Sequence, residues 1–362
     1  MNASDVTRVL DSRYRIDAIG CRELTASPDR DRAVFSVAAA DGRWWTVKAY
    51  RTGAIPDRLA GCGVRTAAAY LETRARTLAF LERRGYPAPR VQTTSDGSFV
   101  ARSAGWSILV TTFLEGVTPD PTPKTLRDIG ALLGRLHAMR PSRARAAVGF
   151  SQWSASGIRA ARSRLELASD PLPRPWQRTC REYCDVLQLF SHVVRLPIRI
   201  VHTDGWLGNV VRGRRGSLAL IDWDGGGLGP AVLDLGRLLL AVEWKASGPP
   251  RTVRPNAQLI GAALEGYCQR RMPTRLERRV LPDALRFAVV FFASNQLTRL
   301  RHERWSDRLE RSLTYVDVWY RACDEIGTIA RRWLDAYSPK RSRSMPSASA
   351  TSAVVARHAG SR

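Results

Sequence analysis

Residues His202-Thr203-Asp204-Gly205-Trp206-Leu207-Gly208-Asn209 place a histidine, an aspartate and an asparagine at the spacing H-x-D-x-x-x-x-N. Asp222 follows thirteen residues after Asn209, at the end of the apolar run Leu218-Ala219-Leu220-Ile221. In a chain of this composition, a chance match to the three polar positions is expected only about 0.003 times. The spacing is therefore informative, and the flanking sequence is best interpreted around it.

The polar side chains of this segment have the chemistry that phosphoryl transfer requires. A carboxylate must orient an attacking hydroxyl group and accept its proton, while metal ions bridge the phosphates and offset the developing charge. Asp204 suits the first task, and Asn209 and Asp222 supply hard oxygen ligands of the kind that Mg²⁺ takes. Because the spacing is that of a kinase catalytic loop, the segment predicts Asp204 as the catalytic residue and Asn209 and Asp222 as metal ligands.

The composition is that of an ordinary globular protein with an unusual charge. The chain has 362 residues, of which 44% are hydrophobic, so it is no disordered chain and is long enough for two packed lobes. Lysine and arginine number 57 against 33 acidic residues, and the net charge is +24. Such a surface attracts polyanions without specificity, so nucleic acid is not expected as the main partner. Lys48 is the one lysine before Lys124, which indicates a position that needs a compact ammonium group.

The first third of the chain has the pattern of an antiparallel sheet with one helix. Aromatic and β-branched residues between turn residues predict five strands, and apolar residues at helical spacing predict a helix that ends at Gly85. Gly116 and the prolines after it end this region, so an N-lobe over residues 1–116 is expected. The strands are expected over 14–26, 33–39, 44–50, 99–102 and 107–114, and the helix over 67–84.

The remainder of the chain is mostly helical. Apolar residues between Leu126 and Met139 recur at i, i+3, i+4 and i+7, and two short β-like runs flank the catalytic segment. The segment from Ser338 to Arg362 has no acidic residue and no apolar period, which predicts a disordered basic tail. The expected fold class is thus α+β, with a small antiparallel-sheet N-lobe and a larger helical C-lobe over residues 117–337. Further helices are expected over 176–195, 256–271, 280–302 and 307–336.

Several short motifs accompany the catalytic segment in a consistent order. They are Val47-Lys48-Ala49, Glu72 ahead of Gly85-Tyr86-Pro87-Ala88-Pro89, Val110 to Gly116, Leu136-His137, Ile221-Asp222-Trp223-Asp224, Gly229-Pro230 and Asp234-Leu235. With these motifs the chain resembles the aminoglycoside phosphotransferase family and its choline-kinase and homoserine-kinase relatives, from about residue 14 to 335. The resemblance implies the bilobal protein-kinase-like fold, with ATP or GTP and Mg²⁺ as cofactors. It also implies transfer of the γ-phosphate to a hydroxyl group of a small molecule.

The resemblance implies roles for individual residues as well. A lysine of the sheet would contact the α- and β-phosphates and pair with a glutamate of the following helix, and backbone groups after the last strand would bind adenine. The nucleotide-binding residues expected in this way are Lys48, Glu72, Thr112, Leu114 and Ile221. The catalytic loop would be supported by His202 and Asp234.

The acceptor is less clearly indicated. Three residues are expected substrate contacts. They are Trp206 beside the predicted catalytic residue, Asp224 in the predicted metal motif Ile221-Asp222-Trp223-Asp224, and Glu243 after the helix that carries Asp234. Asp224 is equally compatible with a second metal ligand or with a residue that forms a turn. Acidic groups would suit a cationic aminoglycoside, whereas the basic surface would repel a polycation at long range. An aminoglycoside-type antibiotic, an amino alcohol and a sugar therefore all stay open as acceptors.

The chain departs from kinases at two places. The turn from Ser27 to Arg32 has no glycine, so its backbone cannot approach phosphates as a glycine-rich loop does. The side chains of Ser27, Arg30 or Arg32 would have to compensate. The catalytic loop reads His-Thr-Asp rather than His-Arg-Asp, and no Ala-Pro-Glu follows, which disfavours a protein substrate.

The glycine-free turn and the net charge leave a second interpretation open, a catalytically weak kinase-like protein that binds a nucleotide or a polyanion. A protein kinase is the third interpretation. Neither a signal peptide nor an apolar run long enough to span a bilayer is recognisable. We therefore expect a cytoplasmic monomer or homodimer without a membrane partner.

Overall fold

Most of the first third of the chain forms an antiparallel sheet and most of the remainder forms helices, which confirms the predicted α+β fold with two lobes. The turn at 27–30, Glu243 and the predicted tail at 338–362 lie outside the described residues. No helix in the described ranges is long and apolar enough to cross a membrane. The computed structural model describes residues 1–26, 31–53, 63–140, 148–169, 172–192, 196–242, 254–297 and 307–337.

The N-terminal part of the structure is built around one sheet. Its elements are α1 (Ala3–Val9), β1 (Ala18–Ala26), β2 (Arg32–Ala39), β3 (Trp44–Arg51), α2 (Ala67–Arg83), β4 (Val91–Gln92), β5 (Val100–Ser103) and β6 (Trp106–Thr112). The strands pair in the order β1-β2-β3-β6-β4, with β5 also on β6, and every pair is antiparallel. The sheet therefore ends at Thr112, shortly before the chain enters the helical part.

The chain begins with a helix that the sequence analysis does not predict. Asn2 caps α1 by accepting a hydrogen bond from the N–H of Asp5, whose own carboxylate accepts the N–H of Asn2. Val6 and Val9 are buried against the outer face of the sheet. A helical turn at Leu10–Tyr14 follows, so the first strand starts at Ala18 rather than at residue 14.

The alternation of side chains along β3 separates the core of the sheet from the face that carries charge. Val47 and Ala49 are buried on the face covered by α1. Lys48 and Tyr50 point to the opposite face, where α2 packs through Tyr70 and other apolar residues. Lys48 thus emerges between the sheet and the helical part of the structure.

The C-terminal part consists mainly of helices, with two short strand pairs at its upper edge. One strand pair joins β7 to β10 and the other joins β8 to β9. The helix α4 is not predicted from the sequence, because alanine, serine and arginine dominate it and dilute its apolar stripe. The elements are α3 (Pro123–Ala138), α4 (Ala155–Ser169), α5 (Arg174–His192), β7 (Ile198–Val201), β8 (Val210–Arg212), β9 (Leu218–Leu220), β10 (Gly227–Pro230), α6 (Ala231–Leu240), α7 (Ala257–Cys268), α8 (Arg275–Leu297) and α9 (Asp307–Ala336).

Glycines let α3 and α7 approach each other until their backbones touch. A Cβ atom on Gly130 of α3 would collide with the carbonyl oxygen of Ala263 in α7. A Cβ atom on Gly266 of α7 would collide with the carbonyl oxygen of Arg127 in α3. Because α3 also carries His137, this close packing fixes a side chain that contacts Asp234, the residue that binds the backbone of the catalytic loop.

We expect Gly130→Ala to lower the free energy of unfolding by about 1–3 kcal/mol, because the added methyl group forces two packed backbones apart. Urea denaturation followed by circular dichroism would measure the change. Gly53→Ala is the matched control, because its Cβ would meet no atom within 4 Å. Equal stability of the two variants would contradict this account of the helix pair.

Candidate active site

Asp204 is held by two side chains that approach its two carboxylate oxygens separately. Arg237 donates to Oδ1 from Nε at 3.2 Å and from Nη2 at 2.9 Å. Asn209 donates to Oδ2 from Nδ2 at 2.8 Å. The Arg237 side chain is only 9% exposed, whereas that of Asp204 is 42% exposed. The carboxylate is therefore anchored from inside the protein and open on its outer side.

Asn209 lies at the end of a short 3₁₀ turn and is fixed through one atom. Its Nδ2 donates to the Asp204 carboxylate and also, at 2.9 Å, to the Asp204 carbonyl oxygen. Because both bonds use the nitrogen, Oδ1 remains as an acceptor for a ligand. That is the atom which the predicted metal-binding role of Asn209 would need.

Asp234 binds the backbone of the catalytic loop from the buried side. Its carboxylate is fully buried and accepts the backbone N–H groups of His202 at 2.7 Å and Thr203 at 2.8 Å. His137 contributes a third contact, from Nε2 at 3.1 Å, and its Nδ1 lies 2.9 Å from the hydroxyl of Tyr267. Burial lowers the pKa of His137, with Asp234 acting in the opposite direction, so the neutral ring donates Nε2–H to Asp234.

Two residues of the site adopt left-handed backbone conformations. Thr203 has φ +71° and Asp222 has φ +58°. This conformation is costly for a residue with a side chain, most of all for a β-branched one, and persists only where surrounding contacts impose it. Two hydrogen bonds impose this conformation on Thr203. One runs from its N–H to Asp234, and the other from Gln152 to its hydroxyl.

Lys48 joins the sheet to the metal motif. Its Nζ lies 2.7 Å from Oδ1 of Asp222 and 2.6 Å from Oδ1 of Asp224. Burial lowers the pKa of Lys48, but the two carboxylates outweigh this effect and hold the pKa above its ordinary value. The lysine is therefore a firmly charged group, and its ammonium meets two negative charges.

The expected pair of Lys48 with Glu72 does not form in this structure. Glu72 instead pairs with Arg76, one turn further along α2, at 3.2 Å. The packing of α2 on the sheet explains the difference, because α2 directs Tyr70 rather than Glu72 toward the site. The rotation of a helix about its axis is set by such packing and is not visible in the spacing of the motifs.

Asp224 lies among cationic and hydroxyl side chains that extend from the sheet. Besides Lys48, it accepts from Arg32 Nη2 at 3.0 Å and from the hydroxyl of Tyr50 at 3.2 Å, both on Oδ2. The hydroxyl of Tyr70 donates to its backbone oxygen at 2.6 Å. Asp224 also lies in a 3₁₀ turn, as one of its predicted alternatives implies.

A cleft of about 480 Å³, the hinge cleft, opens where the sheet meets the helical part. The N–H groups of Thr112 and Phe113 are used within the fold, on the carbonyl oxygens of Arg90 and Trp44. Within the described part of the chain, the N–H of Leu114 has no such partner. This N–H group is the one that the predicted adenine contact of Leu114 would need. The cleft is lined by Gly42, Arg43, Trp44, Trp45, Thr112, Phe113, Leu114, Glu115, Val211, Gly213, Ser217 and Ala219.

The other predicted residues of the loop hold it together internally. His202 donates from Nε2 to the carbonyl oxygen of Ile221 at 2.8 Å, and the N–H of Ile221 donates to Asn209 at 2.9 Å. The backbone N–H of Trp206 donates to the carbonyl oxygen of Asp204 at 3.0 Å, and the indole ring of Trp206 packs closely over Gly208. These bonds connect the catalytic segment to the strand that leads to Asp222.

Three residues of the site, Arg237, Tyr50 and Tyr70, are not predicted from the sequence. The helical spacing could have indicated Arg237, because a residue three positions after Asp234 on a helix lies on nearly the same face. The two tyrosines gave no comparable signal, because aromatic residues in a strand or helix are usually core residues. Their position here depends on how α2 packs against the sheet.

A sequence model of the phosphotransferase enzyme family matches residues 57–279, which is more than half of the chain. The chain belongs to this family. Its fold is the protein-kinase-like fold of these small-molecule phosphotransferases. No curated protein sequence matches it.

Solved structures resemble this phosphotransferase along nearly their whole length. An amicoumacin kinase in complex with AMP-PNP, Ca²⁺ and Ami is 15% identical with a TM-score of 0.68, covering 90% of this chain and 94% of that chain. A spectinomycin phosphotransferase in complex with ADP and spectinomycin is 16% identical with a TM-score of 0.57, covering 92% and 99%. A choline/ethanolamine kinase family protein from Mesorhizobium loti is 17% identical with a TM-score of 0.58, also covering 92% and 99%.

We expect Asp234→Asn to lower the free energy of unfolding by about 3 kcal/mol or more, because an amide places N–H donors against donors in a buried site. Urea denaturation of the variant and the parent protein would measure the loss. Asp128→Asn, which removes an exposed carboxylate from α3, is the control. A loss no larger than that of the control would remove Asp234 from its bracing role.

Proposed function

We propose that this phosphotransferase moves the γ-phosphate of ATP or GTP, with Mg²⁺, onto a hydroxyl group of a small molecule. The observation that carries the proposal is the carboxylate of Asp204, which is anchored by Arg237 and Asn209 and remains open on its outer side. A carboxylate placed in this way can orient an acceptor hydroxyl group and receive its proton. Oδ2 accepts only the bond from Asn209 and so retains acceptor capacity, whereas Oδ1 already accepts two bonds from Arg237.

The donor set beside Asp204 fits a magnesium ion. Oδ1 of Asn209 is left as an acceptor, and Asp222 uses only Oδ1 for Lys48, so hard oxygen atoms from both residues are available. When bound, Mg²⁺ would supply positive charge that offsets the negative charge of the phosphates during transfer. Asn209 and Asp222 would hold the ion, while phosphates and water complete its coordination.

The dimensions of the sheet suit a nucleoside triphosphate between the hinge cleft and Lys48. Trp44 and Lys48 lie on the same face of β3, about 13 Å apart at the rise of an extended strand. An extended nucleotide can therefore place its base in the hinge cleft, near Leu114, and its phosphates at Lys48. Lys48 would supply a positive charge to the α- and β-phosphates, and Ile221, directly after β9, stays a predicted nucleotide contact.

The acceptor that we propose is an aminoglycoside-type antibiotic, or else an amino alcohol or sugar metabolite. In support, the similar structures include an amicoumacin kinase, a spectinomycin phosphotransferase and a choline/ethanolamine kinase family protein. Trp206 stays a predicted substrate contact because it lies beside Asp204, and Glu243 stays one outside the described residues. The cytoplasmic location remains a prediction of the sequence.

We expect Asp204→Asn to lower kcat by about 10²–10⁴-fold, because the amide cannot accept the proton of the acceptor. The assay would follow Mg²⁺-dependent nucleotide consumption with a panel of aminoglycosides, other antibiotics, amino alcohols and sugars. Unchanged nucleotide affinity in the variant controls for folding. Stimulation by one class in the parent protein, lost in the variant, would identify the acceptor. Equal turnover in both proteins would withdraw the catalytic role.

For Asp222→Asn we expect the affinity for Mg²⁺-nucleotide to fall at least about tenfold, because even outer partners of a metal contribute that much. Isothermal titration calorimetry with AMP-PNP, in Mg²⁺ and in EDTA, separates the metal-dependent part of the affinity. A variant that binds Mg²⁺-AMP-PNP as tightly as the parent protein would refute the metal assignment of Asp222.

A further inference from the structure

We propose that Arg32 binds the nucleotide phosphates in place of a glycine-rich loop, and that Asp224 occupies the phosphate position between Arg32 and Lys48 until nucleotide arrives. The proposal rests on the proposed function, because it concerns the phosphates of the same nucleotide. It assigns a binding role to a side chain at the end of the glycine-free turn.

The backbone register directs Arg32 into the site. It is the first residue of β2 and lies directly opposite Tyr50 of β3, so both side chains point to the face that carries Lys48. Its guanidinium lies 5.8 Å above the ring of Tyr50, and its Nη2 reaches Asp224 at 3.0 Å. The side chain is only 20% exposed, which is low for an arginine at the start of a strand.

The guanidinium is not fully satisfied by these contacts. Nε of Arg32 is buried and has no hydrogen-bond partner among the residues that the structure describes. A buried donor without a partner costs free energy, and arginine carries five donors in a rigid fork. A phosphate group offers several oxygens to such a fork and can be bound by two parallel bonds. The orphaned donor therefore indicates a ligand with more acceptor atoms than Asp224 presents.

The carboxylate of Asp224 resembles a phosphate in its contacts. Its Oδ1 meets Lys48 at 2.6 Å, and its Oδ2 meets Arg32 at 3.0 Å and the hydroxyl of Tyr50 at 3.2 Å. Two cations and a hydroxyl group thus surround one anion, and a phosphate group of a nucleotide is bound by donors of the same kinds. Asp224 thus occupies the place in which phosphate oxygens would find the same donors.

Charge balance explains why a nucleotide would displace the carboxylate of Asp224 from Lys48 and Arg32. Lys48 and Arg32 together carry two positive charges, which Asp222 and Asp224 neutralise. The oxygens of a triphosphate would compete for the same two cations, and both carboxylates would then be free to face a metal ion. Nucleotide binding consequently exchanges an internal ion pair for contacts to phosphate, and Asp224 lowers the affinity for metal-free nucleotide.

The first test compares a nucleotide with its phosphate-free counterpart. Calorimetry would measure the binding of Mg²⁺-AMP-PNP and of adenosine to the parent protein and to Arg32→Gln, with Mg²⁺-GMP-PNP and guanosine as the alternative pair. We expect Arg32→Gln to weaken Mg²⁺-AMP-PNP by about ten- to a hundredfold, the range for a lost charge-assisted hydrogen bond, and to leave adenosine unchanged. The affinity of Arg32→Lys for Mg²⁺-AMP-PNP should lie between those of the parent protein and Arg32→Gln, because lysine keeps the positive charge but lacks the forked guanidinium group.

Arg51→Gln is the matched control. Arg51 follows Tyr50 in β3 but points to the other face of the sheet, and its side chain is 60% exposed. The Arg51→Gln variant should bind Mg²⁺-AMP-PNP and adenosine with the affinities of the parent protein. If Arg32→Gln weakens adenosine and AMP-PNP equally, or weakens neither, Arg32 is a structural ion-pair partner of Asp224 only and the proposal is overturned.

The second test removes the competing carboxylate. Asp224→Asn keeps the shape of the side chain and leaves Lys48 and Arg32 without its charge, so AMP-PNP in EDTA should bind several-fold more tightly than to the parent protein. Weaker or unchanged metal-free binding would overturn the role given to Asp224, and a loss confined to Mg²⁺-AMP-PNP would make it a metal ligand instead. Thermal melting would verify that each variant is folded.

Different outcomes refute the proposed function and the role of Arg32. A parent protein that binds neither AMP-PNP nor GMP-PNP would refute the proposed function and this inference with it. A parent protein that binds nucleotide and consumes it, together with an Arg32→Gln variant of unchanged phosphate preference, would refute this inference alone.

Discussion

One buried carboxylate, that of Asp234, is the constraint on which the catalytic loop depends. It accepts the N–H groups of His202 and Thr203 together with a contact from His137. A buried carboxylate is stable only where such donors converge, so the loop, α6 and α3 stabilise one another. The costly backbone of Thr203 persists because of the same bonds, and it positions the residue that follows, Asp204. The close contact of α3 with α7 extends this constraint into the core of the helical part.

The second organising feature is a balanced group of charges between the sheet and the helical part. Lys48 and Arg32 extend from the sheet, and Asp222 and Asp224 belong to the metal motif. In this partly buried setting no member can lose its partners without another taking their place. A triphosphate with a divalent cation offers such a replacement, since it supplies both an anion for the cations and a cation for the carboxylates. In the structure, these four side chains neutralise one another through ion pairs.

Much of the fold was predictable because its signals are local. The strands β2 and β3 and the helices α2 and α3 agree with the predicted ranges to within a few residues, since turn residues and apolar periods mark their ends. The helix α1 escaped prediction because it is only seven residues long and precedes a strand-like segment. The role of Arg237 escaped it although the position follows Asp234 by three residues, because an arginine in a helix is usually a solvent-exposed residue.

By itself, the sequence determined the fold class, the order of the elements and the chemistry of the catalytic segment, because each depends on residues close together in the chain. From spacing and residue chemistry it predicts Asp204 as the catalytic residue and Asn209 and Asp222 as metal ligands. Only the tertiary structure decided how the charges pair. Lys48 meets Asp222, 174 positions away, instead of Glu72 in the following helix. The physical reason is that the packing of α2 on the sheet sets which of its side chains face the site, and that rotation results from the summed burial of residues from several elements.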